Sequence, residues 1–163
     1  MPGTPGAKER TSPADIDSSW SARVLWRGGQ ESNVHVRGLD FSIGRQASFA
    51  ENDARPSAVE YLLGALGGDL VNGFHNQATR RGITIEGMEA SVNGRLGNPL
   101  VLLEVVGAEG SPGLERISAT LYVTSDADES ALKDAWRDTL KLSPLVNTLK
   151  RSTELTVSIK VTS

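Results

Sequence analysis

The 163-residue chain contains no cysteine. That excludes disulfides, thiolate metal sites, iron–sulfur clusters and every mechanism that needs a thiolate nucleophile. Histidine is scarce: His35 and His75 are the only 2. They are too few for a histidine-rich metal centre, and no cofactor is expected. Aromatic residues make up 5% of the chain, so a core must be built from Leu, Val, Ile and Ala. The formal charge is -3, without the basic excess that marks nucleic-acid or anionic-membrane binding. Neither partner is expected. No apolar run approaches the ~20 residues of a transmembrane helix. The first residues carry no apolar signal segment, and a cytoplasmic protein is expected.

What is present reads as one domain. Residues 1–19 hold Pro2, Pro5 and Pro13 among Gly, Ser, Thr and charges, which predicts a disordered tail ahead of a domain over 20–163. Partial alternation over 22–26, clean alternation over 33–37 and the short run Phe41-Ser42-Ile43 predict an antiparallel meander, with Gly28 and Gly29 in its first turn. Residues 44–57 read as a loop. Ser57 and Glu60 have the spacing of a capping box for a helix that starts at Ala58. Gly82, behind Arg80 and Arg81, is placed to stop it. At ~1.5 Å per residue such a helix is ~35 Å long.

Residues 83–92 alternate as a strand, and Asn93-Gly94 reads as a turn. Residues 100–106 and 116–123 read as two more strands. Ser125, ahead of Asp126, Asp128 and Glu129, signals a second helix running to Leu142. Ser143-Pro144 opens a short third helix, with Ser as cap and Pro in the first turn. Residues 154–161 close the chain as a strand. Helices do not alternate regularly with strands, so the fold class is α+β rather than doubly wound α/β.

Two features of the long helix stand out. Gly64, Gly67, Gly68 and Gly73 lie within it, each costing ~1 kcal/mol relative to Ala. Gly64 and Gly68 share a face, where another helix has room to pack closely. Asp69 follows an apolar run and precedes Leu70-Val71. A carboxylate in apolar surroundings is costly without partners, which suits a site residue. Asn72, Asn76 and Arg80 follow at i+3, i+7 and i+11, so Asp69 equally reads as the start of a solvated polar stripe. His75 is a weak helper, about 120° round the helix from Asp69. The glycine pairs match neither a P-loop nor a dinucleotide fingerprint.

The stretch Glu60-Tyr61-Leu62-Leu63-Gly64-Ala65-Leu66-Gly67-Gly68-Asp69, behind Pro56, resembles the long-helix motif of the OsmC/Ohr family, the osmotically inducible and organic-hydroperoxide-resistance proteins. Arg81-Gly82-Ile83-Thr84-Ile85 resembles the turn that follows it. Ser143-Pro144-Leu145-Val146-Asn147-Thr148-Leu149 resembles the family's second cysteine segment. The resemblance implies an OsmC-like fold, with antiparallel sheets around a long buried central helix, in an intertwined homodimer. It places the family's reactive cysteine on Asp69 and its resolving cysteine on Ser143. The family's activating arginine has its nearest matches in Gln30, Arg27 and Arg45, and the acidic residue that holds it in Glu60.

Neither Asp nor Ser has the redox chemistry of a thiol pair, so cysteine-dependent peroxidase activity is expected to be absent. Asp69, Ser143, Glu60, Arg27, Gln30 and Arg45 are the ligand-binding candidates, and no metal ligands or catalytic residues are assigned. The first functional expectation is a stress-response relative that binds a small, mostly apolar molecule in a dimer-interface pocket near Asp69. The alternatives are a non-thiol enzyme with Asp69 as general acid or base, and a structural or partner subunit.

Overall fold

The structure is a computed structural model that describes residues 18–162. The expected tail lies almost wholly outside the described residues. The first sheet is the expected meander: β1 (Arg23–Gly28), β2 (Glu31–Val36) and β3 (Leu39–Ile43), paired antiparallel in that order. Gly28 and Gly29 turn the first hairpin at φ +106 and +55, where a side chain is strained. Register puts Val24, Val34 and Phe41 on one face of this sheet and Arg23, His35 and Asp40 on the other. Of the apolar set only Val34 is buried; Trp26 and Leu39 stay 76% and 64% exposed.

The long helix α1 (Ala58–Arg80) begins with the complete capping box expected of Ser57 and Glu60. The Glu60 carboxylate accepts from the Ser57 amide at 2.7 Å and from its hydroxyl at 2.6 Å. Two further free amides of the first turn, on Ala58 and Val59, donate to the carbonyls of Arg45 and Gln46. The 44–57 loop is thereby fastened to the helix. Gly82, at φ +66, follows its C-terminus as expected.

The second sheet has the order β4 (Gly87–Leu96), β5 (Leu114–Thr124), β6 (Glu154–Thr162). β4 runs antiparallel to β5, whereas β6 runs parallel to it, so this sheet is mixed rather than antiparallel as expected. A parallel neighbour needs a crossover, supplied by α3 (Glu129–Leu142) and α4 (Pro144–Leu149). Leu66, Leu70 and Phe74 of α1 meet Ile117, Leu121 and Val123 of β5 and Leu132 and Trp136 of α3 in one buried core. Phe74 and Trp136 supply its ring contact at 6.4 Å.

Four further sequence expectations are corrected. Residues 100–106 do not form a strand. Asn98 and Pro99 instead open the short helix α2 (Pro99–Leu102), with the Asn98 side chain accepting from the Leu100 amide. A short stretch that is apolar except for Glu104 does not by itself separate strand from helix, and the Asn-Pro start decides it. Asn93-Gly94 is not a turn: both residues pair with β5 inside β4, which starts at Gly87 rather than at residue 83. A Cβ on Gly94 would sit 3.0 Å from a Leu63 methyl, so glycine there admits close packing of α1. Ser125 does not cap α3. Its hydroxyl donates to the Thr84 carbonyl at 2.7 Å, and Asp128 takes the cap position.

The glycines of α1 divide in an unexpected way. Close approach occurs at Gly67, where a Cβ would lie 3.3 Å from Val92, and at Gly73, 3.2 Å from Thr139. A Cβ added at Gly64 or Gly68 would meet nothing within 4 Å among the described residues beyond the adjoining helix backbone.

Candidate functional site

Ser143 stands between two helices: it ends α3 and caps α4. Its hydroxyl accepts from the Val146 amide at 2.9 Å and donates to Asp69 Oδ2. The same carboxylate oxygen accepts from the Leu145 amide at 3.3 Å. α1 contributes Asp69 because Leu66 and Leu70, on either side of it, are anchored in the core at 0% exposure. The carboxylate is thus held against the α3–α4 corner by a hydroxyl and a backbone amide. Sequence reasoning brought Asp69 and Ser143 together only through family resemblance. It missed the Leu145 amide, since a backbone donor leaves no residue-type signal.

Asp69 is half-buried and lines a cavity of about 300 Å³. Asn72, Asn76 and Arg80 of the expected polar stripe line the same cavity, so the two readings of Asp69 describe one feature. Gln77, Thr139 and Ser143 add polar walls, and Leu142 and Pro144 an apolar one. Within one chain the surroundings of Asp69 are therefore more polar than the apolar run before it suggested. His75 is exposed and does not line this cavity. Ser143 is 4% exposed with its hydroxyl already engaged, which leaves it poorly placed as a nucleophile.

The other candidates lie elsewhere. Glu60 sits two and a half turns before Asp69 and borders an apolar groove of about 420 Å³ between α1 and β4, walled by Leu63, Val71 and Val92. Hydrogen bonds from the Ser57 side chain and backbone hold the Glu60 carboxyl below the ordinary carboxylate range. Gln30 and Arg45 share a third cavity, of about 630 Å³, with Trp26, Phe49 and Leu103. Arg45 pairs there with Asp53 at 3.6 Å. Arg27 is exposed on β1. None of these three brings its side chain to the Asp69 cavity within the chain.

This arrangement of sheets and helices has known counterparts. The model of the OsmC-like protein family matches residues 50–158. The chain belongs to the OsmC-like family. Among solved structures, the OsmC-like protein from Mycoplasma pneumoniae superposes with a TM-score of 0.76 at 17% identity, covering 91% of this chain and 100% of that one. A putative osmotic stress induced and detoxification response protein from Psychrobacter arcticus gives 0.67 at 12% identity, covering 89% and 98%. The organic hydroperoxide resistance protein OhrB of Bacillus subtilis gives 0.57 at 16% identity, covering 86% and 98%. At these identities the likeness concerns the fold alone. No curated protein matches the sequence. Among OsmC-like proteins this one is a cysteine-less member, so whatever its site does, it does without thiol chemistry. No helix among the described residues is long and apolar enough to cross a membrane, and no described His, Asp or Glu residues group as metal ligands.

Proposed function

We propose that this OsmC-like protein is a homodimeric, non-redox binding protein that holds a small, mostly apolar molecule beside Asp69. The observation that carries this reading is the Asp69 carboxylate itself. Ser143 and Leu145 fix one of its oxygens, while the carboxyl group borders an open cavity. A fixed polar group in a cavity with an apolar wall is what orients a ligand.

The homodimer is supported by unpartnered apolar surface. The first sheet leaves Val24, Trp26 and Leu39 exposed, and α1 leaves Leu62 and the open face of Gly64 and Gly68. Within the chain, Phe41 contacts Tyr61 at 5.1 Å and the Tyr61 hydroxyl donates to the Ser42 carbonyl. These contacts hold only one edge of the sheet to α1. A second copy would cover the rest and supply the apolar remainder of the binding site.

The test is native mass spectrometry of purified protein at micromolar concentration. The expected result is a dimer that carries a small molecule or takes up an added medium-chain alcohol. A folded monomer that binds no apolar probe would overturn the reading. A second reading, an inert structural subunit, draws on the same Ser143–Asp69 bond. It predicts a dimer without uptake.

A further inference from the structure

Asp69 uses only half of its accepting capacity. Both protein donors, the Ser143 hydroxyl and the Leu145 amide, reach Oδ2. No hydrogen bond from the described residues reaches Oδ1, and none of their ion pairs includes Asp69. A half-buried carboxylate without a cation is an incomplete arrangement, because withdrawing the group from water costs free energy that a neutral hydroxyl and one amide offset only in part. Two other carboxylates beside the fold's cavities have cations, Asp53 with Arg45 and Glu31 with Arg55, while Glu60, like Asp69, takes two donors on one oxygen. Asp69 combines that fixed orientation with an open oxygen in a cavity that Asn72, Asn76 and Gln77 also line.

We infer that the ligand of this site is a cationic amphiphile: a primary amine whose ammonium group completes Asp69 and whose apolar part leaves along exposed hydrocarbon. This rests on the binding function proposed above and names its ligand class. One N–H donor completes Oδ1 and a second suits the side-chain carbonyl of Asn72, one turn along α1. The apolar part has two surfaces beside Asp69. Leu142, 59% exposed, and Pro144 wall the cavity, and exposed Ala65 and Leu62 continue the Asp69 face of α1 toward its N-terminus. The cation facing the same cavity is Arg80. Eleven residues separate it from Asp69, about 16 Å along the helix axis, so it does not neutralise the carboxylate. An anionic head group would have to avoid Asp69 and settle at the Arg80 rim.

The experiment compares three probes of equal chain length, octylamine, 1-octanol and octanoate, by titration calorimetry on the full chain at pH 7 and low salt. A charge-assisted bond to Asp69 should make octylamine bind about tenfold more tightly than octanol, with octanoate weakest. Asp69→Asn should remove the advantage of octylamine over octanol. Salt should weaken octylamine binding only in the unsubstituted protein. Should Asp69→Asn not fold, the probe ranking and its salt dependence in the unsubstituted protein still decide the matter. Equal, tight binding of octanol and octylamine would overturn the amine and leave the apolar-ligand reading standing. That outcome includes the case of a second copy's cation already satisfying Oδ1. Tighter binding of octanoate would overturn the amine in favour of an anion at Arg80. No binding of any probe would overturn both readings.

Discussion

Ser143 donates its hydroxyl proton to Asp69 across 74 residues of sequence, joining the α3–α4 corner to the middle of α1. The same hydroxyl caps α4 by accepting from Val146. One residue therefore ends one helix through its backbone amide, while its hydroxyl starts another and orients a carboxylate on a third. The resemblance to the OsmC/Ohr family implies that these two residues stand at its thiol positions, and we propose that a hydrogen bond here takes the place of a redox couple.

Replacing Ser143 by Ala removes both bonds at a buried position. The Val146 amide loses its cap and Asp69 loses its hydroxyl donor. We predict a loss of roughly 1–3 kcal/mol, the range for a buried group left unsatisfied. Urea unfolding should show a lower midpoint at unchanged slope. A variant as stable as the parent would mean that the corner relaxes without this hydroxyl.

The Ser57–Glu60 capping box makes the start of α1 sensitive to acid. Its hydrogen bonds lower the Glu60 pKa in the folded state from the ordinary 4.5. The folded protein then binds fewer protons than the unfolded chain just below that value. The box's contribution is fully present above the ordinary carboxylate range and is lost as pH falls through the lowered folded value. Glu60→Gln keeps an acceptor but cannot titrate. Its stability should decline less than the parent's between about pH 5 and about pH 3. Identical acid limbs for parent and variant would contradict this.

Gly64 and Gly68 separate the chain from its assembly. Beyond the adjoining helix backbone, no described residue lies within 4 Å of a Cβ added at either position. Within the protomer, Gly→Ala should add up to ~1 kcal/mol of helix stability at each. If a second copy packs there, Gly68→Leu should weaken the dimer. Sedimentation across a concentration series should show a dissociation constant raised at least tenfold, with circular dichroism unchanged. An unaltered dimer would place the interface elsewhere.

The parts of this fold that local chemistry dictates were legible from residues alone. Ser57 with Glu60, Gly82 behind Arg80, and Ser143 with Pro144 each sit where the sequence placed them, because a cap is decided within four residues. The misreadings lie where distant packing overrides local signals. Asn93-Gly94 has turn chemistry, but β5 offers both residues a ladder and Leu63 fills the space that a side chain would take. Ser125 has cap chemistry and its hydroxyl accepts from the Ala127 amide, but that turn closes before α3, which starts at Glu129 with Asp128 as its cap residue. At the site, Asn72, Asn76 and Arg80 were visible as a helical stripe. Leu145 was not, since any residue presents the same amide. Gln30 and Arg45 sharing a cavity with Trp26 and Phe49 had no signature in sequence at all.

The central claim is that Asp69 and Ser143 form one site in place of a thiol pair. The double substitution Asp69→Cys and Ser143→Cys tests it most directly. A disulfide forms only where Cα atoms lie roughly 4.4–6.8 Å apart with Cβ atoms turned toward each other, a condition few pairs in a fold meet. After mild oxidation of the folded variant, mass spectrometry of a nonreduced digest should show the peptides of positions 69 and 143 joined. The parent, with no thiolate to react, should consume no organic hydroperoxide above background. Two free thiols that stay unpaired in the folded, oxidised variant would contradict the account.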